Sequence, residues 1–158
     1  MKKNGFTLIE LLVAITIVAV MAGLSAIGMQ NAFTNARDTR RRSDLKQYQT
    51  SLESLASRNN GLYIEQTSIV RASTTLCGNL GLTSCPEDPT YERDTTSGYY
   101  YRYISNNGTC SAGGFCAIEY VLWGRLENVS STTYQIFCSN GKNGTLSTAP
   151  SAFTCPLP

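Results

Sequence analysis

Residues 6–29 carry one charge, Glu10, and no proline, and this apolar run constrains the fold more than anything after it. Its few hydroxyls, Thr7, Thr16 and Ser25, can bond back to their own helix. At about 1.5 Å per residue the run makes roughly 36 Å of helix, enough to cross a hydrocarbon core of about 30 Å. Every turn is apolar on all sides, which suits a membrane span or the inside of a bundle and not an amphipathic surface helix. Charge barely orients such a span, because Lys2 and Lys3 precede it while Arg37, Arg40, Arg41 and Arg42 follow it. Glu10 costs at least ~2.5 kcal/mol there on insertion scales. A first-turn acid regains only ~0.3–1 kcal/mol from the helix dipole. A carboxylate so placed is expected to have a partner.

The opening MKKNGFTLIELLVA sets a basic leader, a Gly5-Phe6 junction and the apolar run in an order, with GFTLIE at the junction, that resembles the class III signal of type IV pilins and pseudopilins. A conventional secretory signal is discarded together with its apolar stretch. The resemblance instead implies cleavage between Gly5 and Phe6 by a membrane prepilin peptidase, so that the product keeps the helix. It also implies N-methylation of Phe6 by the same peptidase and a membrane orientation with the N-terminus inside and the body outside. Glu10 would then pair with the α-amine of Phe6, its own or a neighbouring subunit's, and set axial register in a filament core. Many members have a proline midway that permits local melting on assembly. This chain has Gly23 and Gly28 instead, each costing ~1 kcal/mol of helix propensity relative to alanine.

The helical pattern continues beyond the run. Leu45, Tyr48, Leu52 and Leu55 recur at helical spacing, with no proline before Arg58. Residues 30–58 are therefore read as an amphipathic second half, with Arg41, Asp44, Lys46 and Glu53 turned to solvent. Asn59-Asn60-Gly61 ends the helix by supplying residue types that accept positive φ. The run RDTRRR at 37–42 is read as a solvated face that pairs with acids, in preference to a surface for DNA or anionic headgroups.

The fold class expected is α+β and pilin-like: one long N-terminal helix packed on an antiparallel meander of three or four strands. Residues 62–98 read as a loop-rich connection with one short helix or strand at most. Residues 99–105 (YYYRYIS), 116–126 (CAIEYVLWGRL) and 132–138 (TTYQIFC) read as strands, separated by turn residues such as Asn106-Asn107-Gly108 and Asn128. Their short connections make them antiparallel neighbours, with one face buried on the leucine stripe of the helix. Asn60-Gly61-Leu62-Tyr63, and Pro86, Asp88 and Pro89 followed by Gly98-Tyr99-Tyr100-Tyr101, resemble more weakly the N-G-x-Y and P-x-D-P…G-x-Y-x-Y steps of pilin-like and pseudopilin-type heads. A body of roughly 120 residues holds one core and not two.

Six cysteines, Cys77, Cys85, Cys110, Cys116, Cys138 and Cys155, all fall beyond the helix and imply an oxidising compartment. Closeness along the chain favours Cys77–Cys85, Cys110–Cys116 and Cys138–Cys155, though sequence leaves the connectivity open. In many pilins a disulfide-bounded variable region lies where the last pair would fall. With no histidine and no CxxC pair, a zinc module is the weaker reading.

The absence of histidine also excludes Ser-His triads and most metal-hydrolase arrangements, and no nucleophile elbow, P-loop or dinucleotide fingerprint is present. No catalytic residue and no resident cofactor are expected. Glu87, Asp88, Glu92 and Asp94 supply oxygen ligands that Ca²⁺ accepts, a weak candidate against a solvated loop. Of the aromatic run at 99–101 with Tyr103, alternation places half in the core. Asn107, Asn128 and Asn143 sit in N-x-S/T sequons that carry no expectation in a bacterial-type protein. The chain has 13 Lys and Arg against 11 Asp and Glu, and Lys2 and Lys3 lie in the leader, so the processed body is neutral. Neutrality favours lateral packing of copies and argues against nucleic acid as the primary partner.

The expected organisation is a leader at 1–5, a membrane and filament-core helix at 6–29, its amphipathic half at 30–58 and a disulfide-stapled head at 59–158. The expected function is structural, not enzymatic: a subunit of a type IV pilus, secretion pseudopilus or DNA-uptake filament. It would be held in the inner membrane with its head outside, then move into a periplasmic or extracellular filament. Its partners would be other copies of itself, the prepilin peptidase, a membrane platform protein and an assembly ATPase. Two alternatives compete: a minor pilin or tip adhesin, including a DNA-uptake binding module, and an exported soluble protein cleaved near Ser25 or Gly28. The continuous helical pattern through residue 58 counts against the second.

Overall fold

The structure, a computed structural model, describes residues 5–106, 108, 110, 114–127 and 131–158, apart from the side chains of 24–28 and 30. Leader residues 1–4 and the sequon asparagines Asn107 and Asn128 lie outside the described residues. Helix α1 runs unbroken over Leu8–Arg58. Its end is built as the sequence suggests: Asn60 takes φ 57°, and the Gly61 N–H, with φ 80° at its own residue, returns to the Ala56 carbonyl at 2.8 Å. That six-to-one bond is a Schellman stop. Among the described residues no helix is long and apolar enough to cross a membrane.

The head then follows as β1 (Tyr63–Ile64), β2 (Val70–Arg71), α2 (Ala72–Thr75), α3 (Cys77–Leu80), β3 (Arg102–Ser105), β4 (Phe115–Ala117), β5 (Tyr120–Leu126), β6 (Thr133–Cys138) and β7 (Asn143–Leu146). Strands β3, β5, β6 and β7 form the expected antiparallel meander, and β2 adds a fifth strand outside β3. The fold is thus the α+β arrangement of a long helix on an antiparallel sheet. Three details differ from the sequence reading. The strand expected over 116–126 is two strands, because Asn106 Oδ1 accepts the Ile118 and Glu119 N–H groups at 2.8 and 2.9 Å and takes both out of the ladder. β4 turns away to pair with β1 as a separate ribbon. The strand expected over 99–105 begins only at Arg102, because Tyr99 and Tyr100 stack against arginines instead of joining the ladder. The connection 62–98 holds two short strands and two short helices where one element was expected.

One face of the sheet carries Tyr103, Tyr120, Leu122 and Phe137 onto Leu45, Tyr48, Leu52 and Leu55 of α1. Gly124 lies at the point of closest approach: a Cβ there would sit 2.9 Å from the Tyr101 ring and 3.4 Å from Leu45, so no side chain fits. The opposite face is covered as well. Ile104, Val121, Trp123, Ile136 and Cys138 make a second cluster beneath Leu146, Cys155 and Leu157 of the C-terminal segment. β5 is buried on both faces for that reason.

Candidate functional site

The apolar half of α1 is the least satisfied part of the molecule. Phe6, Leu8 and Ile9 are 78, 83 and 71% exposed, and Ile15, Val18 and Val20 are exposed too. Contiguous apolar surface on this scale marks a face that meets lipid or protein. Gly5 and Phe6 are exposed at its start, accessible to a protease. Glu10 is held locally. Its Oε2 accepts the Thr7 N–H at 3.0 Å and the Thr7 hydroxyl at 2.7 Å, while Thr7 Oγ1 accepts the Glu10 N–H at 3.3 Å. This is a reciprocal capping box at the helix start. The Thr7 side of that partnership was missed in the sequence, although T-x-x-E is its signature.

The 88–90 loop and the end of β5 are tied to α1 by a buried arginine. Arg41, expected to face solvent, is fully buried. Its Nε and Nη2 reach both oxygens of Asp88 at 2.6 and 2.9 Å, Nη1 reaches Asp38 at 2.6 Å, and Nη2 also donates to Thr90 at 2.8 Å and to Glu127. Glu127 in turn accepts from Arg37 and, at 2.5 Å, from the Thr90 hydroxyl, and its N–H donates to Asp38. The reason is positional: Arg41 stands four residues before Leu45 and so belongs to the inward stripe. Asp44, also expected outside, is half-buried and accepts the Tyr101 hydroxyl at 2.7 Å. Lys46 and Glu53 are exposed as expected. The arginine run is therefore not a uniform solvated face, though Arg40 does pair with Glu92 across its surface.

Burial pushes the Glu127 carboxyl up, but its hydrogen bonds from Arg37, Thr90 and Arg41 outweigh this and hold it at about 2. The unfolded group sits near 4.5. A depressed folded value contributes stability above the unfolded one and loses it as pH falls from 4.5 toward 2. The gain is about 3 kcal/mol at neutral pH. Glu127→Gln should therefore melt below the parent at pH 7, with the gap closing as the pH approaches 2. A gap that is constant with pH would show that Glu127 does not act as a paired carboxylate.

The four carboxylates considered for Ca²⁺ are not brought together. Glu87 pairs with Arg71, Asp88 with Arg41 and Glu92 with Arg40, while Asp94 caps Thr96 with bonds of 2.9 and 2.6 Å. Three arginines thus occupy the charge that a cation would take. Tyr101 and Tyr103 lie in the core, as alternation requires. Tyr99 stacks between Arg41 and Arg125 at 5.0 and 4.9 Å, and Tyr100 against Arg102 at 4.0 Å. Asn143 is exposed on β7.

All six cysteines are paired, as Cys77–Cys85, Cys110–Cys116 and Cys138–Cys155, the pairs favoured by closeness along the chain. The last joins the end of β6 to the segment covering the far face of the sheet.

Among curated proteins and solved structures none matches the chain. Residues 1–26 match the prokaryotic N-terminal methylation motif, so the chain carries the prepilin-type signal of type IV pilins and pseudopilins.

Proposed function

We propose that the chain is a structural subunit of a type IV pilus or a related pseudopilus filament. The observation that carries this reading is the methylation motif at residues 1–26, placed on a helix whose first half is apolar and exposed. A helix built in this way needs apolar neighbours, found in the inner membrane before assembly and in other copies of the chain afterwards. Burying one side chain such as Leu8 or Ile9 among them is worth about 1.5–3 kcal/mol. In this reading the prepilin peptidase cuts between Gly5 and Phe6 and methylates the new amine. That cation then competes with Thr7 for Glu10, and pairing across subunits fixes the axial register. A membrane platform protein and an ATPase drive assembly. Nothing in the buried ionic node or the disulfides calls for an enzymatic role, and the head serves as filament surface.

Intact mass and N-terminal sequencing of the protein from its host test the reading. The expected product starts at Phe6, is one methyl heavier than its sequence, and carries the mass deficit of three disulfides. A start near residue 26 or later would remove the apolar helix and leave an exported soluble head.

A further inference from the structure

The ribbon of β1 and β4 places a buried acid against a disulfide. Glu65 directly follows β1, and its N–H donates to the Gly114 carbonyl at 2.8 Å, so its side chain is carried under Cys116 on β4. Glu65 is 4% exposed. Its Oε2 lies 2.7 Å from Cys116 Sγ and 3.5 Å from Cys110 Sγ, and accepts the Gly108 N–H at 3.1 Å. A disulfide sulfur has no proton to give. In the oxidised chain the carboxylate oxygen therefore faces two sulfur lone-pair surfaces, with one amide to offset the repulsion among the described residues. Burying a carboxylate against acceptors is costly unless something positive joins it.

We infer that Glu65, Cys110 and Cys116 form a binding site for a borderline-soft divalent cation, zinc in the first instance, when the two cysteines are thiols. The three donor atoms lie within 4.8 Å of one another. Tetrahedral zinc with Zn–S of about 2.3 Å and Zn–O of about 2.0–2.2 Å sets its ligands roughly 3.5–3.8 Å apart. The Glu65–Cys110 separation already has that value; opening the S–S bond, about 2 Å long, lets the two sulfurs part by roughly 1.7 Å to the same spacing and carries Cys116 about 1 Å outward from Glu65. Cys110 is exposed, which leaves the fourth position to water. The Gly108 amide holds the carboxylate from behind, the outer-shell contact that orients a metal ligand. A Cβ at Gly108 would come within 2.6 Å of Cys116, so the approach depends on glycine.

The chain is synthesised with thiols, so the site exists before oxidation. Regenerating it afterwards takes a dithiol reductant, which gives two electrons and two protons to the Cys110–Cys116 bond and closes its own disulfide. Cation binding then releases the two thiol protons to water. The site is independent of filament assembly, and its failure would leave the N-terminal processing result untouched.

The test uses the full chain in detergent micelles, reduced with a phosphine, with alkylation mapping to confirm free Cys110 and Cys116. Cd²⁺ is titrated in and followed by its thiolate charge-transfer absorption, with Zn²⁺ competing. One ion per chain is expected, with affinity at least about tenfold lower in Glu65→Gln. Uptake at this stoichiometry should vanish in the Cys110→Ser, Cys116→Ser double variant, even with the other four cysteines reduced. Circular dichroism of each variant separates misfolding from ligand loss. Equal affinity in folded Glu65→Gln, equal uptake by the oxidised chain, or no uptake by the reduced one would overturn the assignment.

Discussion

Replacing Arg41 with methionine should lower the stability of the folded head by about 3–5 kcal/mol, the usual result of removing one partner from a buried ionic cluster. Asp38, Asp88 and Glu127 all lose their shared cation at once, and Asp88, the most enclosed of them, has nowhere to expose its charge. Burial lowers the tendency of Arg41 itself to stay charged. The bonds to Asp88, Glu127 and Asp38 more than reverse this and raise it above its ordinary range, so the cation persists at every accessible pH. The measurement is thermal or urea unfolding of the full chain in detergent, read by near-ultraviolet circular dichroism. A second variant separates charge from packing. Arg41→Met combined with Asp88→Asn and Glu127→Gln should recover part of the loss, because of the three acids only Asp38 then keeps its charge, and the Glu127 N–H still donates to it. A single variant that melts with the parent, or a triple variant worse than the sum of its parts, would remove the ionic node as the link between helix and head.

The same residue shows where the sequence stopped being legible. The leucine stripe at 45, 48, 52 and 55 was readable because its members are apolar, and the structure buries all four. Carried back by one turn and then by three residues, the same periodicity reaches 41 and 38, and both are buried. Their charges hide the pattern: helical periodicity shows itself in apolar residues, while the partners that make burial tolerable, Asp88 and Glu127, lie 47 and 86 residues away. The helix stop at Asn60-Gly61 was legible for the opposite reason, since the whole Schellman geometry is local. The sheet falls between these cases. Its central strands were found from aromatic and β-branched residues, but the weakly apolar β7 (NGTL) was invisible because its apolar contact, Leu157, comes from a segment that a disulfide folds back. Glu65 had no sequence signal at all, because only the β1–β4 register brings it to Cys110 and Cys116.

That returning segment carries the other large effect. Opening Cys138–Cys155 by paired substitution with serine should cost about 3 kcal/mol on loop-entropy grounds, for a sequence separation of 17. The loss has a structural address. Leu157 sits against β7 at Gly144, where an added Cβ would be 3.1 Å from it, and with Cys155 it roofs Trp123, Val121 and Ile136. Untethered, the roof contributes few contacts of its own, and the far face of the sheet opens to water. Trp123 is the chain's single tryptophan, fully buried, and its indole N–H has no hydrogen-bond partner among the described residues. Water reaching it would satisfy a donor that the folded core leaves unmet, so opening is favoured at that atom as it is opposed by the lost apolar contacts. The expected result is a red shift and easier quenching of tryptophan fluorescence, while the far-ultraviolet signal of α1 is retained, because the helix packs on the other face. Removing Cys77–Cys85, whose separation is 8 and which lies away from Trp123, should leave the emission unchanged. If the Cys138–Cys155 variant keeps the parent emission, the segment holds its place by packing alone. If both variants shift it alike, the two faces of the sheet are not independent, and the disulfide acts on the whole head instead of its outer cluster.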